Sequence, residues 1–400
     1  MDHRFDAVII GAGPAGSTAA ILLASAGWSV ALVEKQAFPR RKVCGECIAA
    51  SNLPLIQALG LGERFHALAG APLRQVALYS GKARLYAELP ALGTGPLRWG
   101  KALGREHLDT MLLHQATAAG AKILQPWAVR TISGEPGNFG CEIAAGSDRL
   151  QLQAPVMIAA HGSWEPSPFT HRLQAKKPGD LFGFKANYRH SQLAHDTLPV
   201  LALPGAYGGM VVGDGGMLTL ACCIRRDTLA ACRQRYRSHN AAEAVEAYLK
   251  DACDGVAAAL DGAERQGKWL SVGPLQPGMC SSMHDLKQPF LVGNAAGEAH
   301  PIIGEGISMA MQSAWLLCQR LIALGPVTSS VTAYQDLRYA YTKDWQQQFS
   351  PRIRLAAMFA HIAMRPVATA LVLPLLQRWP SLLTHGARYS GKIRSAVAFA

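Results

Sequence analysis

Near the start of the chain the apolar positions come in unbroken runs: AVII, then the small-residue stretch AAILLAS, then WSVALV. A continuous β-branched run with no polar alternation predicts a strand covered on both faces. Asp6 to Ile10 and Trp28 to Val33 are therefore predicted strands. A helix from about Pro14 to Ala26 separates them, with Gly27 as its stop. Leu108 to Gly120 carries a helical period, and Ala121 to Leu124 reads as the strand after it. The short runs AVRTIS, FGCEIAA and RLQLQA, spaced by glycines, predict a β-meander. From about 165 to 285 the rhythm changes. Strand-like runs such as LFGFKANY and GMLTLACCI are joined by glycine turns and by one long helical region, about Arg226 to Glu264. FLVGN then reads as a short strand, and Ile307 to Ala314 as a helix. Residues 354–379 are very apolar, broken by Arg365-Pro366 and Pro374.

These elements predict an α/β fold. Residues 1–164 and 286–325 form a Rossmann-like nucleotide-binding domain, a parallel sheet plus a β-meander. Residues 165–285 form an inserted, mainly antiparallel substrate domain, and 326–400 a C-terminal basic helical region. A length of 400 residues fits two domains, and an apolar half excludes a disordered chain. No period in the range of the common repeats is present.

Charge changes the picture at one end only. Residues 351–400 hold Arg352, Arg354, Arg365, Arg378, Arg388, Lys392 and Arg394 and no acid, so they supply most of the net charge of +12. So local a balance speaks against nucleic acid as a partner. It fits anionic lipid headgroups, so a membrane surface met through residues 351–400 is an expectation. A central arginine and two prolines oppose a true span. Helices resting on a membrane, or packed on the substrate domain, suit the pattern better. The nine cysteines are an odd count, and MDHRFDAVII carries no signal-peptide pattern. A reduced, cytoplasmic setting is expected, peripheral to the inner face of the membrane. No cysteine or histidine spacing suits a metal, and no Ser-His-Asp order is evident.

Candidate chemistry begins at Gly11-x-Gly13-x-x-Gly16, directly after the first strand. Gly11 permits the tight turn, Gly13 the approach of a pyrophosphate, and Gly16 close packing of helix on sheet. Pro14 and Ala15 open a helix whose N-terminus favours phosphate. Glu34, followed by Lys35, lies where a carboxylate accepts from a ribose hydroxyl. This motif alone leaves FAD and NAD open. The stretch VGNAAGEAHPIIGEGISMAMQSA, residues 292–314, supplies a second bare loop at a helix mouth. Asn294 suits a ribityl hydroxyl. Pro301, Gly304, Gly306 and Ile307 suit a flat ring against backbone, with the helix N-terminus favouring negative charge on it.

GAGPAG at 11–16, GREHLD at 104–109 and GNAAGEAHPIIGEGI at 293–307 resemble the three FAD motifs of flavin monooxygenases and geranylgeranyl reductases. VCGECIA at 43–49 resembles the reductases' cysteine-glycine motif. The resemblance covers about residues 5–320 and implies FAD as cofactor. It puts Arg105 near the pyrophosphate, Val129 beside the adenine, Asn294 on the ribityl chain, and Gly306 and Ile307 at the isoalloxazine. Arg41, Cys44 and Gly45 join the candidate cofactor residues. The family has Asp where this chain has Asn294, and an Asp-Gly pair where it has His161-Gly162. PGAYGGMVVG at 204–213 faintly resembles the reductases' lipid motif, with Tyr207 in the substrate pocket and glycines that widen it; an ordinary hairpin with a core tyrosine is the other reading. GSWEP at 162–166 is only superficially like a tryptophan-halogenase motif, and the absence of a W-x-W-x-I-P run argues against such an enzyme. Cys44 faces the flavin or substrate, or pairs with Cys47 as a dithiol, or is structural. The expected function is an FAD-dependent oxidoreductase that reduces a double bond in an apolar lipid-, isoprenoid- or polyketide-like substrate, with NAD(P)H as transient reductant. Hydroxylation of an aromatic or polyketide substrate is the alternative. A non-catalytic flavin-binding partner, suggested by His161 and Asn294, is the third.

Overall fold

The computed structural model of the protein describes residues 2–95, 97–162, 176–326 and 331–393. Residues 163–166 of the GSWEP run and Arg394 lie outside them. Five parallel strands stand in the order Phe290–Leu291, Val156–Ala159, Ala7–Ile10, Val30–Val33, Lys122–Leu124. Every residue of the three central strands is buried, which is why their sequences run apolar without alternation. The helices Pro14–Ser25 and Gly306–Leu324 pack against each other, and Arg105–Ala118 packs on the first of them. Gly306–Leu324 is long and apolar enough to cross a membrane, but 61% of its apolar window is buried in the protein. The predicted meander is present as Ala128–Glu135, Asn138–Ala145 and Asp148–Ala154, and Asp2–Arg4 adds to its edge in parallel.

The second large sheet has eight strands. Leu181–Arg189, Leu218–Arg225, Ala206–Val212 and Thr197–Leu203 pair antiparallel in that order. Its far side comes from earlier in the chain. Gln75–Ser80 pairs in parallel with Thr197–Leu203, and Ala83–Glu88 follows by a hairpin. The sheet is therefore not confined to 165–285, because its far edge is finished by a hairpin from within 1–164. The long helical region is three helices, Arg226–Arg235, Ala241–Ala252 and Asp254–Ala259. Arg237 at φ 49° breaks the first. The Asn240 side chain caps the second by accepting from Ala242 N at 3.0 Å, and extended Cys253 ends it.

The C-terminal region ties the two sheets together. Along Val331–Ala363, residues Tyr341, Trp345, Phe349 and Ile353 enter the nucleotide-domain core. Ala360 and Ala363 join a cluster with Leu181, Ala202 and Tyr207 of the large sheet. At Arg365 the backbone is extended (φ −108°, ψ 110°), as expected before a proline, and Pro366–Arg378 departs at 103°. The apolar stretch 354–379 is thus two helices at an angle. Ser381–Ala387 and a final turn, Arg388–Lys392, follow.

Candidate active site

The first glycine loop separates packing from ligand space. A Cβ on Gly16 would stand 1.8 Å from Gly11 O, so this glycine is demanded by the turn beneath the helix. Gly11, at φ 101°, would bring a Cβ within 2.7 Å of Ala160 O. Gly13 differs: its Cβ would meet only Arg105 Nη2, at 3.8 Å, and would otherwise project into open space. Glu34, at the end of Val30–Val33, is buried. Its carboxylate accepts from Ala12 N at 3.0 Å and Gln36 N at 2.9 Å. It braces the loop while bordering the same space.

Opposite this loop Arg105 opens its helix. Asp109, one turn on, accepts from its Nε and Nη2, each at 2.7 Å, and so aims the guanidinium. Burial opposes its charge, but Asp109 and then Cys44 outweigh burial and hold its pKa above the ordinary value. Arg105 N donates to Glu46 Oε1 at 2.9 Å. Glu46 is also buried and bonds Lys185 Nζ and Thr219 Oγ1 of the large sheet. Glu46 sits at φ 58°, an unusual conformation for a residue with a side chain. The Cys44–Cys47 turn is thereby pinned between both sheets. Cys44 borders the open space, and all nine cysteines are free thiols. Neither thiol opens a helix: Cys44 lies in irregular backbone and Cys47 begins a two-residue strand, and burial pushes the Cys47 pKa upward. The dithiol reading loses its physical support.

The second glycine loop, Pro301 to Gly306, closes the space from the other side. Gly304 is left-handed at φ 60°, and a Cβ on Gly306 would meet no protein atom within 4 Å. Buried Glu305 lies 3.1 Å from Lys392 Nζ, which also donates to Gly304 O at 3.3 Å and lies 3.7 Å from Cys47 Sγ. Burial opposes charge on Lys392, but Cys47 and Glu305 hold its pKa up. Just before this loop, His300 Nδ1 lies 3.0 Å from Tyr207 Oη. Burial, then His361, lower the His300 pKa to about 4. Burial, then Cys223, raise that of Tyr207 well above the phenol range. At neutral pH both are uncharged.

These elements enclose one cavity of about 710 Å³. It runs from Gly13 and Arg105, past Cys44 and Gly306, to an apolar end walled by Leu78, Val200, Met210, Ile362, Leu373 and Leu376. Of the residues singled out from sequence, Gly11, Gly13, Pro14, Ala15, Glu34, Lys35, Cys44, Gly45, Arg105, Val129, Tyr207, Asn294, Pro301, Gly304, Gly306 and Ile307 line it. Gly16 and Arg41 do not. Arg41 turns away to Gln266 O and Asn187 Oδ1. Its neighbour Arg40 lines the cavity instead, 3.4 Å from Glu34 and 3.7 Å from Asp109. His161 lines it too, with Nδ1 2.7 Å from Gly162 O. Tyr207 combines both earlier readings: it follows a hairpin turn and faces the cavity. Gly208 and Gly209 after it line the cavity as well, and the neighbouring strands crowd them. A Cβ on Gly208 would strike Ala221 O at 2.5 Å, and one on Gly209 would press on Pro199 O at 3.1 Å. Lys392 and Glu46 were missed; the first had no local signal, and the second lay inside a motif read for its cysteines and Gly45.

A glycine cradle facing an aimed arginine, a buried carboxylate at the end of the second strand, and a second bare loop at a helix mouth fit FAD. The fold and site define an FAD-dependent oxidoreductase, an enzyme. Residues 4–326 match the FAD binding domain family, and the chain belongs to it. It is 24% identical to a menaquinone reductase of Mycolicibacterium smegmatis, covering 98% of this chain and 93% of that one. It is 36% identical to a tryptophan 2-halogenase of Chondromyces crocatus, over 90% of this chain and 68% of that one. The solved p-nitrophenol 4-monooxygenase of Pseudomonas putida shares the fold, with a TM-score of 0.76 at 15% identity, covering 99% of this chain and 100% of that one. The missing W-x-W-x-I-P run thus does not separate the chain from relatives with a halogenase name.

Proposed function

We propose that the protein reduces an activated double bond in an apolar, lipid-, isoprenoid- or polyketide-like molecule, with NAD(P)H as reductant. The observation that carries this reading is the single cavity that joins the glycine cradle to an apolar end, with the Tyr207–His300 pair beside the second glycine loop. Bound FAD supplies the hydride. Gly13, Glu34 and Arg105 would hold its adenosine and diphosphate, and Asn294, Gly304 and Gly306 its ribityl chain and ring. The apolar walls exclude water and hold the substrate's hydrocarbon. Tyr207, kept protonated by burial, gives its proton to the second carbon of the double bond, and His300 returns one from solvent.

The test is anaerobic. Protein reduced with NADPH is mixed with menaquinone or a geranylgeranyl lipid, and the product is read by mass. A gain of two hydrogens at a side-chain double bond, and not at the quinone ring, supports the reading. Tyr207→Phe should slow product formation and leave flavin reduction unchanged. A product that forms only in air and carries oxygen favours hydroxylation, and one that carries added halide favours halogenation, the reactions to which the monooxygenase and halogenase names among its relatives point. A flavin that stays oxidised with every nicotinamide donor favours a non-catalytic flavin-binding role.

A further inference from the structure

We propose that the helix Pro366–Arg378, with the turn into Ser381–Ala387, is the face by which this protein lies on an anionic lipid bilayer. Val367, Leu371, Leu375 and Trp379 recur every four residues and are 75%, 70%, 50% and 54% exposed. That spacing puts them on one stripe. Leu382 continues the apolar exposure beyond the bend. Single exposed leucines are ordinary, but a contiguous stripe marks an interaction surface. The helix cannot turn the stripe inward, because Thr369, Val372, Leu373 and Leu376 already wall the cavity. At 1.5 Å per residue it is about 20 Å long, too short to cross a hydrocarbon core of about 30 Å. It suits the interfacial plane.

Charge selects the partner. Arg365 and Arg378 stand exposed at the two ends of the helix, and Arg388 follows. Residues 351–400 hold no acid. The Arg378 guanidinium lies 6.0 Å from the Trp379 ring, a pair suited to the headgroup level. A second copy of the chain would set arginines against arginines, whereas anionic lipid complements them. The test uses the full FAD-loaded chain and vesicles of phosphatidylglycerol and phosphatidylcholine in equal parts, against phosphatidylcholine alone. The wild type should sediment with the anionic vesicles and not with the neutral ones. Leu371→Ser with Leu375→Ser should stay yellow and lose sedimentation. Arg365→Gln with Arg378→Gln should weaken binding roughly thirtyfold, about fivefold for each charge. A wild type that stays in the supernatant, or variants that sediment as it does, overturns the proposal. So does a dimer in lipid-free solution that the leucine variant dissolves. None of these readouts depends on which reaction the flavin performs.

Discussion

Replacing Gly13 with Val should remove FAD while sparing the fold. The backbone there, φ −71° and ψ −176°, is extended and open to any residue, so the substitution adds no backbone strain. Only Arg105 Nη2, at 3.8 Å, faces the new Cβ, so the apoprotein has room for it. Valine is a poorer helix cap than glycine, which costs roughly 0.5–1 kcal/mol of stability. The isopropyl group instead occupies the space before Arg105 where a diphosphate must lie. Loss of two charge-assisted hydrogen bonds, at about 1.5–3 kcal/mol each, gives about 3–6 kcal/mol. That is a weakening of FAD binding of roughly two to four orders of magnitude. The assay is calorimetric titration of apoprotein with FAD, beside the visible absorbance of the purified variant and its urea midpoint. Gly16→Ala is the contrast: its Cβ meets Gly11 O at 1.8 Å, so that variant should lose stability as well as flavin. A Gly13→Val protein that purifies yellow with wild-type affinity would refute the cradle.

Lys392→Met should leave buried Glu305 without its cation and cost about 3–5 kcal/mol in urea unfolding, most of which Lys392→Met with Glu305→Gln should restore. The folded His300 pKa of about 4 lies below the ordinary 6.5, so the unfolded chain binds more protons in that window. Stability should fall as pH drops from 6.5 towards 4, by up to about 3 kcal/mol from this residue, and His300→Gln should flatten that slope in unfolding midpoints. Cys44→Ala should keep FAD and slow turnover; unchanged stopped-flow rates would reduce Cys44 to a packing role.

The first βαβ unit was legible because its chemistry is local. Strand burial, the glycine turn and Glu34 all fall within residues 6–34, and each leaves a mark on the sequence. The meander and the 301–306 loop were readable for the same reason. Phase within irregular backbone was not readable. Neighbours in such a segment point different ways, so Arg40 takes the cavity and Arg41 the large sheet. Long-range events left no trace at all. Lys392 reaches Gly304 across 88 residues, and Gln75–Ser80 finds Thr197–Leu203 more than 100 residues later. The crowding of Gly208 and Gly209 by neighbouring strands left no trace in the sequence either.

The parallel pairing of Gln75–Ser80 with Thr197–Leu203 has a bearing on how relatives of this protein can be recombined. A chimera that swaps residues 165–285 alone would cut through a sheet, leaving the hairpin 75–88 of one parent to find register on a strand of another. A bare strand edge invites aggregation. A transplant of substrate preference should therefore carry the early hairpin and the later strands together.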